Sequence, residues 1–157
     1  MGNLASSVRA DPALTFAGVT KLLLSVHVLA ALVAIGPVTV AASMFPAATR
    51  RADRGALPLL HRICRMYALL GLAVPVFGLA TASRLGVLGD AWLLTSIGLT
   101  AAAGLLLALV ILPAQRGIVA GAAVPPARLG MLTGVFNLIW AAVVVLMVVR
   151  PGSTTGT

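Results

Sequence analysis

The sequence predicts an all-α integral membrane protein, built as a bundle of four transmembrane helices. Of the 157 residues, 61% are hydrophobic and 9% are charged, whereas soluble domains carry about 25% charged residues. The mean hydropathy of +1.12 leaves too few polar side chains to cover a globular surface. Uncharged apolar runs occupy residues 22–45, 66–83, 91–115 and 129–149. A helix needs about 20 such residues to cross the hydrocarbon core, and the runs lack the alternation of a barrel strand.

The spans can be placed in order along the chain. The first is expected at about 22–45, after an N-terminal tail of residues 1–21. Its apolar run is longer than the 7–15 residues of a signal-peptide core, so we expect it to be retained. The second span is expected at about 59–83, because apolar residues recur at helical spacing directly after Pro58. The third span, the fourth span and a C-terminal tail follow at about 91–115, 129–149 and 151–157. These four spans form a single membrane domain over residues 22–150.

Basic residues collect at the ends of the spans, which argues against nucleic-acid binding as the reason for the net charge of +8. The first and third loops carry seven arginines: Arg50, Arg51, Arg54, Arg62, Arg65, Arg116 and Arg128. The other side carries four cations: Arg9, Lys21, Arg84 and Arg150. The positive-inside rule then places both loops in the cytoplasm and both termini outside. We expect the seven loop arginines to contact anionic lipid headgroups. The composition is typical of a high-GC bacterium, which implies the plasma membrane.

The first and third loops, FPAATRRADRGALP and LPAQRGIVAGAAVP, resemble each other. In each loop two prolines are separated by 12 residues, at Pro46 and Pro58 and at Pro113 and Pro125. The same offset of 67 residues lays span one on span three and span two on span four. This pattern predicts two helical hairpins related by an axis along the membrane normal, with chance similarity as the alternative. The prolines themselves are expected to end helices.

Small residues indicate where helices pack against one another. Gly130 and Gly134 lie four residues apart in span four and would let a neighbouring backbone approach closely. In span one, Gly36 precedes Pro37, and a kink is expected there. Pro75 is expected to kink span two and to free a carbonyl one turn earlier.

His27 and Asn137 are the two polar side chains set most clearly within apolar runs. His27 follows Lys21 by about 9 Å of helix rise, which places it in the outer half of span one. We expect a neutral imidazole that donates a hydrogen bond to another helix, because an imidazolium in lipid is costly. Ligation of haem or metal, or contact with a quinone or substrate, are the alternatives. Asn137 is expected to bond across helices, with ligand contact as the alternative.

A second group of candidate ligands lies at the predicted cytoplasmic end. His61, Cys64 and Met66 supply the soft and imidazole ligands that copper(I) accepts. Arg62 and Arg65 would repel a cation, so a buried thiol and a gap-filling methionine are the expected roles. His61 lies beyond the far end of span one from His27, so the two histidines cannot hold one haem within a single chain.

The distribution of acidic residues argues against an enzyme or an ion-coupled transporter. Asp11, Asp53 and Asp90 are the only acids, and all three lie outside the apolar runs. Proton- or sodium-coupled transport ordinarily needs an intramembrane carboxylate. The sequence has no zincin, phosphate-loop or serine-elbow motif. We therefore predict a non-catalytic protein without a cofactor.

Four segments of the chain carry a family resemblance: HVLAALVAIGP, FPAATRR, LHRICRM and DAWLLTSIGLTAAAGLLLALVILPAQR. They resemble an uncharacterised family of small bacterial four-span membrane proteins, marked by an early histidine, a following glycine and a tryptophan that opens span three. His27, Gly36 and Trp92 match these positions, and the likeness covers about residues 20–120. The early histidine is also distantly similar to copper-resistance membrane domains. Because the chain lacks their additional intramembrane ligands, no copper role is implied.

The chain is also similar to a small accessory protein of the respiratory cytochrome bc–oxidase supercomplex of high-GC bacteria. This resemblance implies a non-catalytic accessory or association subunit whose partners are other integral membrane subunits. The alternative function is a haem-, metal- or small-molecule-binding membrane protein that uses His27.

Overall fold

The structure is a computed structural model that describes the backbone of residues 12–152 and the side chains of residues 15–152. Residues 1–11 and 153–157 of the expected tails, with Arg9 and Asp11, lie outside the described residues.

The described chain is helical, with no β-strand between residues 12 and 152. Its helices are α1 (Pro12–Arg50), α2 (Ala56–Leu70), α3 (Ala73–Leu85), α4 (Ala91–Leu105), α5 (Leu112–Val119) and α6 (Pro126–Val149), and a π-helical segment at Leu106–Ile111 joins α4 to α5. Four stretches are long and apolar enough to cross a membrane: Thr15–Arg50, Ala56–Leu85, Ala91–Val119 and Pro126–Val149. This confirms the all-α, four-span prediction.

Helix α1 is longer than the span predicted from its apolar run, and Pro46 does not end it. A proline removes one N–H from the helix ladder, but the residues after it can continue the helix. The helix stops where Ala52 adopts a positive φ of 53° and Asp53 N–H donates to Ala48 O at 3.1 Å. A residue with a left-handed φ, followed by an N–H that donates to the carbonyl five residues earlier, is a common helix ending. Asp53 Oδ1 then accepts from Gly55 N and Ala56 N as α2 begins.

The second span begins close to the predicted Pro58 and is broken into α2 and α3 at Gly71 and Leu72. Pro75 explains the position of the break, because it has no N–H for the carbonyl four residues earlier, on Gly71. That carbonyl instead accepts from Val74 N at 3.1 Å, in a tighter turn. The expected disturbance one turn before Pro75 is therefore observed, but the carbonyl there is not left free.

The third span contains a widened turn that the sequence analysis did not predict. The π-helical segment ends directly before Leu112, whose N–H donates to Leu107 O, five residues earlier. Pro113 follows, and it cannot supply the N–H that an α-helical turn would need at that position. The span continues through Pro113 to Val119, so this proline, like Pro46, does not end its helix. The third loop is correspondingly shorter than expected.

Helix α1 occupies the centre of the packing, because it contacts α2, α3 and α6, while α6 also contacts α4. At the end of the bundle that holds loops 51–55 and 120–125, here called the basic end, α2 also meets α5. The main core lies towards this end and in mid-bundle; its fully or nearly fully buried members include Val38, Ala42, Phe45, Cys64, Ala103, Ile111, Leu129 and Phe136.

The opposite end, here called the His27 end, holds loop 86–90 and a smaller core. This core consists of Ala82, Val87, Trp92 and Leu93, with Met147 packed against it. The bundle is therefore tightly packed towards the basic end and more open at the His27 end. The predicted relation between the two hairpins stays a prediction.

Candidate functional site

His27 makes a hydrogen bond between helices at the His27 end. Its Nδ1–H donates to the backbone carbonyl of Val74 in α3, at 2.9 Å. A carbonyl oxygen can only accept, so Nδ1 carries the proton. The expected bond from His27 to another helix is thereby confirmed, and its acceptor lies within the distorted start of α3.

Gly78 makes room for the imidazole on the facing helix. A Cβ atom at this position would lie 2.9 Å from His27 Cε1 and 3.2 Å from Nδ1. Real Cβ atoms do not approach other atoms at 2.9 Å, and the obstruction would be a ring held by a hydrogen bond. Gly78 therefore has a steric role, and it is the glycine that most closely meets a side chain of another helix in the described chain.

All four spans contribute to a small cavity beside His27. Its volume is about 40 Å³, roughly the space of three water molecules. The lining includes Leu24, Thr81, Leu85, Trp92 and Met147, and Arg150 also contributes. Thr81 Oγ1 donates to Phe77 O within its own helix. The walls are mainly apolar, and the cavity is partly open.

Trp92 and Arg150 stack at the edge of this cavity. Trp92 is 6% exposed, and its Nε1–H donates to Asp90 Oδ2 at 2.9 Å. The guanidinium carbon of Arg150 lies 5.6 Å from the Trp92 ring centroid, within the range of a cation–π contact. Arg150 Nε also donates to Met147 O at 3.4 Å. These contacts hold the Arg150 guanidinium beside the cavity that His27 lines.

The basic end contains a second polar group, centred on Gln115. Gln115 has no exposed surface; its Nε2 donates to Cys64 Sγ at 3.6 Å, and its Oε1 accepts from His61 Nδ1 at 3.3 Å. Cys64 is fully buried, whereas Met66 is 52% exposed and faces outward. The structure therefore brings His61 and Cys64 together through Gln115, and it does not bring Met66 to them.

No group of three or more His, Cys, Asp or Glu side chains that could hold a metal ion occurs among the described residues. The arrangement around Gln115 is a hydrogen-bonded link between α2 and α5. It satisfies a buried amide at the end of the third span, which a membrane helix requires of its polar side chains.

Asn137 bonds across helices in mid-bundle, as expected. Its Nδ2 donates to Ser43 Oγ in α1 at 2.9 Å. Its Oδ1 and the Nε1–H of Trp140 are buried and have no partner among the described residues. The α1–α6 contact thus carries one polar bond, which is worth about 0.6 kcal/mol on average in membrane proteins.

The remaining predicted packing residues divide into two groups. Gly130 faces Pro46 of α1, with 3.9 Å between a Cβ built on it and the proline side chain; an alanine would fit there, so the close-approach role of Gly130 stays a prediction. Gly36 and Gly134 have no atom of a neighbouring helix within 4 Å of a built Cβ. Pro37 lies inside the continuous helix α1. An interface role for Gly36 and Gly134 therefore stays a prediction, and it requires a helix from outside this chain.

The seven loop arginines are all exposed, at the ends of helices and in the adjoining turns: Arg50, Arg51, Arg54, Arg62, Arg65, Arg116 and Arg128. Exposure at this level of the bundle is compatible with the predicted headgroup contacts.

Comparisons of the chain with protein-family models, with curated proteins and with solved structures find no match.

Gln115, Arg150 and Met147 are among the contributors to these sites that the sequence did not single out in advance. Gln115 is the only glutamine in the chain and closes an apolar run, so its position was a usable signal. Arg150 and Met147 are brought to His27 by the packing of α6, and no local pattern identifies them.

Replacing Gly78 with alanine should destabilise the protein by about 1–3 kcal/mol, because the new methyl group overpacks against His27. The free energy of unfolding, measured by denaturant titration in mixed micelles, tests this. Gly98→Ala is the matched control, since a Cβ at Gly98 meets nothing within 4 Å; it should be neutral or stabilise the protein by up to about 1 kcal/mol, the gain of alanine over glycine inside a helix. In the double variant, His27→Ala should recover part of the loss. Equal effects of the two glycine substitutions would contradict the steric role of Gly78.

Proposed function

We propose that this protein is a non-catalytic association subunit of a larger membrane complex. The observation that carries the proposal is the outward position of its small residues. Built Cβ atoms at Gly36, Gly98, Gly104 and Gly134 meet nothing within 4 Å. Lipid provides no hydrophobic drive between helices, so small residues are useful where they let another backbone approach. Within the described chain, no neighbouring helix packs closely against these four glycines.

Span three presents the broadest surface of this kind. Gly98, Ala101, Ala102 and Gly104 are all exposed on α4. The main contacts of span three are with α6 along one side and with α2 at the basic end. It therefore has a large surface free of other spans, and close packing of a partner's transmembrane helix would bury it.

The partner is proposed from the sequence resemblance, as a respiratory assembly of the cytochrome bc–oxidase type in a bacterial plasma membrane. The scarcity of charge within the spans supports a structural role over ion-coupled transport. Asp53 and Asp90, the acids within the described residues, lie in loops and bond to backbone or to Trp92.

Gly98→Leu and Gly134→Leu should reduce co-purification of partner subunits, because a leucine side chain separates the helix backbones. A tagged chain, purified in mild detergent and analysed by quantitative mass spectrometry, gives the readout. Gly18→Leu is the matched control: its site is equally open but lies ahead of the first apolar run. The proposal fails if no stoichiometric membrane subunit co-purifies with the unmodified chain, or if neither Gly98→Leu nor Gly134→Leu lowers recovery below that of Gly18→Leu.

The proposed orientation places the basic end in the cytoplasm and both termini outside. Ala123→Cys should therefore react with an impermeant maleimide only from the cytoplasmic side, and Gly89→Cys only from outside. Both positions are exposed, and neither change alters the loop charge. Native Cys64 is fully buried, which keeps the background low. Intact cells and inverted vesicles provide the two measurements, and the reverse labelling pattern would refute this orientation.

Ligand binding at His27 is the second candidate function, and the bond to Val74 favours it. Because Nδ1 donates to a backbone carbonyl, the Nε2 lone pair of a neutral ring remains available, as in histidines that act as ligands. A Soret band or stoichiometric metal in the purified protein, lost in His27→Leu, is the expected sign of a haem or metal. A colourless, metal-free preparation would restrict this function to small organic ligands.

A further inference from the structure

The cavity beside His27 has the features of a small binding site. His27 Nε2 has no hydrogen-bond partner among the described residues, and the ring lines the cavity. With Nδ1 committed to Val74 O, a neutral His27 presents Nε2 as an acceptor. An occupant must then offer a hydrogen-bond donor such as a hydroxyl group. The volume of about 40 Å³ admits only about three small groups.

Arg150 adds a second requirement for the occupant. Its guanidinium pairs with no carboxylate among the described residues; the contacts that it makes are with Met147 O and the Trp92 ring. Most of its N–H donors therefore remain free, and guanidinium groups bind phosphate oxygens by paired, charge-assisted hydrogen bonds. The occupant is thus a small hydroxylated group joined to an anion.

We propose that this cavity binds the phosphoglycerol headgroup of an anionic phospholipid. The terminal hydroxymethyl group of the glycerol enters the cavity and its hydroxyl donates to His27 Nε2, while the phosphate outside the cavity accepts from Arg150. Exposed apolar residues at the rim, among them Leu24 and Leu85, lie where the acyl chains would continue into the bilayer. This inference rests on the second candidate function, ligand binding at His27, and names the class of the ligand.

Other occupants match the cavity less well. A metal cation would lie beside Arg150, which repels it. A porphyrin or a quinol ring has more ring atoms than the volume can enclose. A zwitterionic choline headgroup carries no hydroxyl donor for Nε2. The proposed site also differs from the headgroup contacts expected for the loop arginines, because it lies at the opposite end of the bundle and selects for a hydroxyl.

The test is native mass spectrometry of the full chain in detergent, titrated separately with phosphatidylglycerol, phosphatidic acid and phosphatidylcholine of matched acyl chains. We expect the affinity to fall in that order. Phosphatidic acid keeps the phosphate but lacks the glycerol hydroxyls, so the first step reports on His27. Phosphatidylcholine also lacks hydroxyl donors and carries a quaternary ammonium beside its phosphate, which the Arg150 guanidinium repels, so the second step reports on Arg150.

Variants separate the two contacts. Arg150→Gln should weaken binding of phosphatidylglycerol and phosphatidic acid by roughly tenfold, the effect of one charge-assisted bond. His27→Leu should remove the preference between these two lipids. Leu24→Phe fills the rim and leaves both polar groups in place; it should also remove the preference, even if His27→Leu does not fold. Arg84→Gln changes an exposed arginine at the His27 end that does not line the cavity, and it should retain the wild-type preference.

Three results would overturn the proposal. Wild-type protein could bind phosphatidylglycerol and phosphatidic acid equally, or the preference could survive both His27→Leu and Leu24→Phe. Displacement of the lipid by soluble glycerol phosphate would assign the site to a free phosphoester. In each case a Soret band or bound metal would still report ligand binding at His27, and co-purification would still report association, so the failures are distinguishable.

Discussion

The carbonyl groups that prolines leave without an N–H donor are the constraint on which the rest of this structure depends. In lipid no water satisfies them, and an unsatisfied backbone group costs several kcal/mol. The second span meets the constraint at Pro75 by breaking the helix, so that Gly71 O accepts from Val74 N. In the third span the turn before Pro113 is widened into a π-helical segment, in which Leu112 N–H donates to Leu107 O. Both spans thus depart from α-helical geometry beside a proline.

The break in the second span also determines the geometry around His27. It sets the start of α3 against α1, so that Val74 O can accept from His27 Nδ1. The approach is possible because Gly78, one turn later on α3, has no side chain to obstruct the ring. The position of His27 therefore depends jointly on Pro75, Val74 O and Gly78. The result is an imidazole whose Nδ1 donates to a backbone carbonyl and whose Nε2 has no hydrogen-bond partner among the described residues.

The two ends of the bundle are packed differently. The basic end contains most of the buried core that stabilises the bundle, and the His27 end contains the cavity. Towards the basic end, large side chains such as Phe45 and Ile111 are fully buried, and Gln115 links α2 to α5. At the His27 end, Trp92 closes a smaller core beside a partly open cavity. A bundle fixed at one end can keep such a cavity at the other, because the packed end holds the helices together.

Much of the fold could be predicted from the sequence, because lipid imposes a length and a composition on each span. The four spans, the start of α2 near Pro58 and the disturbance caused by Pro75 all follow from such local rules. Pro46 and Pro113 were wrongly expected to end their helices, because continuation past a proline depends on tertiary contacts. Pro46, for example, is buried in α1 and lies beside Gly130 of α6.

The candidate site was predictable only in part, for a related reason. The expectation that His27 would bond to another helix followed from the cost of an unsatisfied polar group in lipid. This cost depends on the residue itself and not on its neighbours. The positions of Arg150 and Met147 beside His27, by contrast, depend on which spans are neighbours in the bundle. The π-helical segment also changes which side chains of the third span face α6, since a wide turn shifts the helical phase of every residue after it. Sequence periodicity assumes a constant phase, so it identifies the polar residues of a membrane bundle more reliably than it identifies their partners.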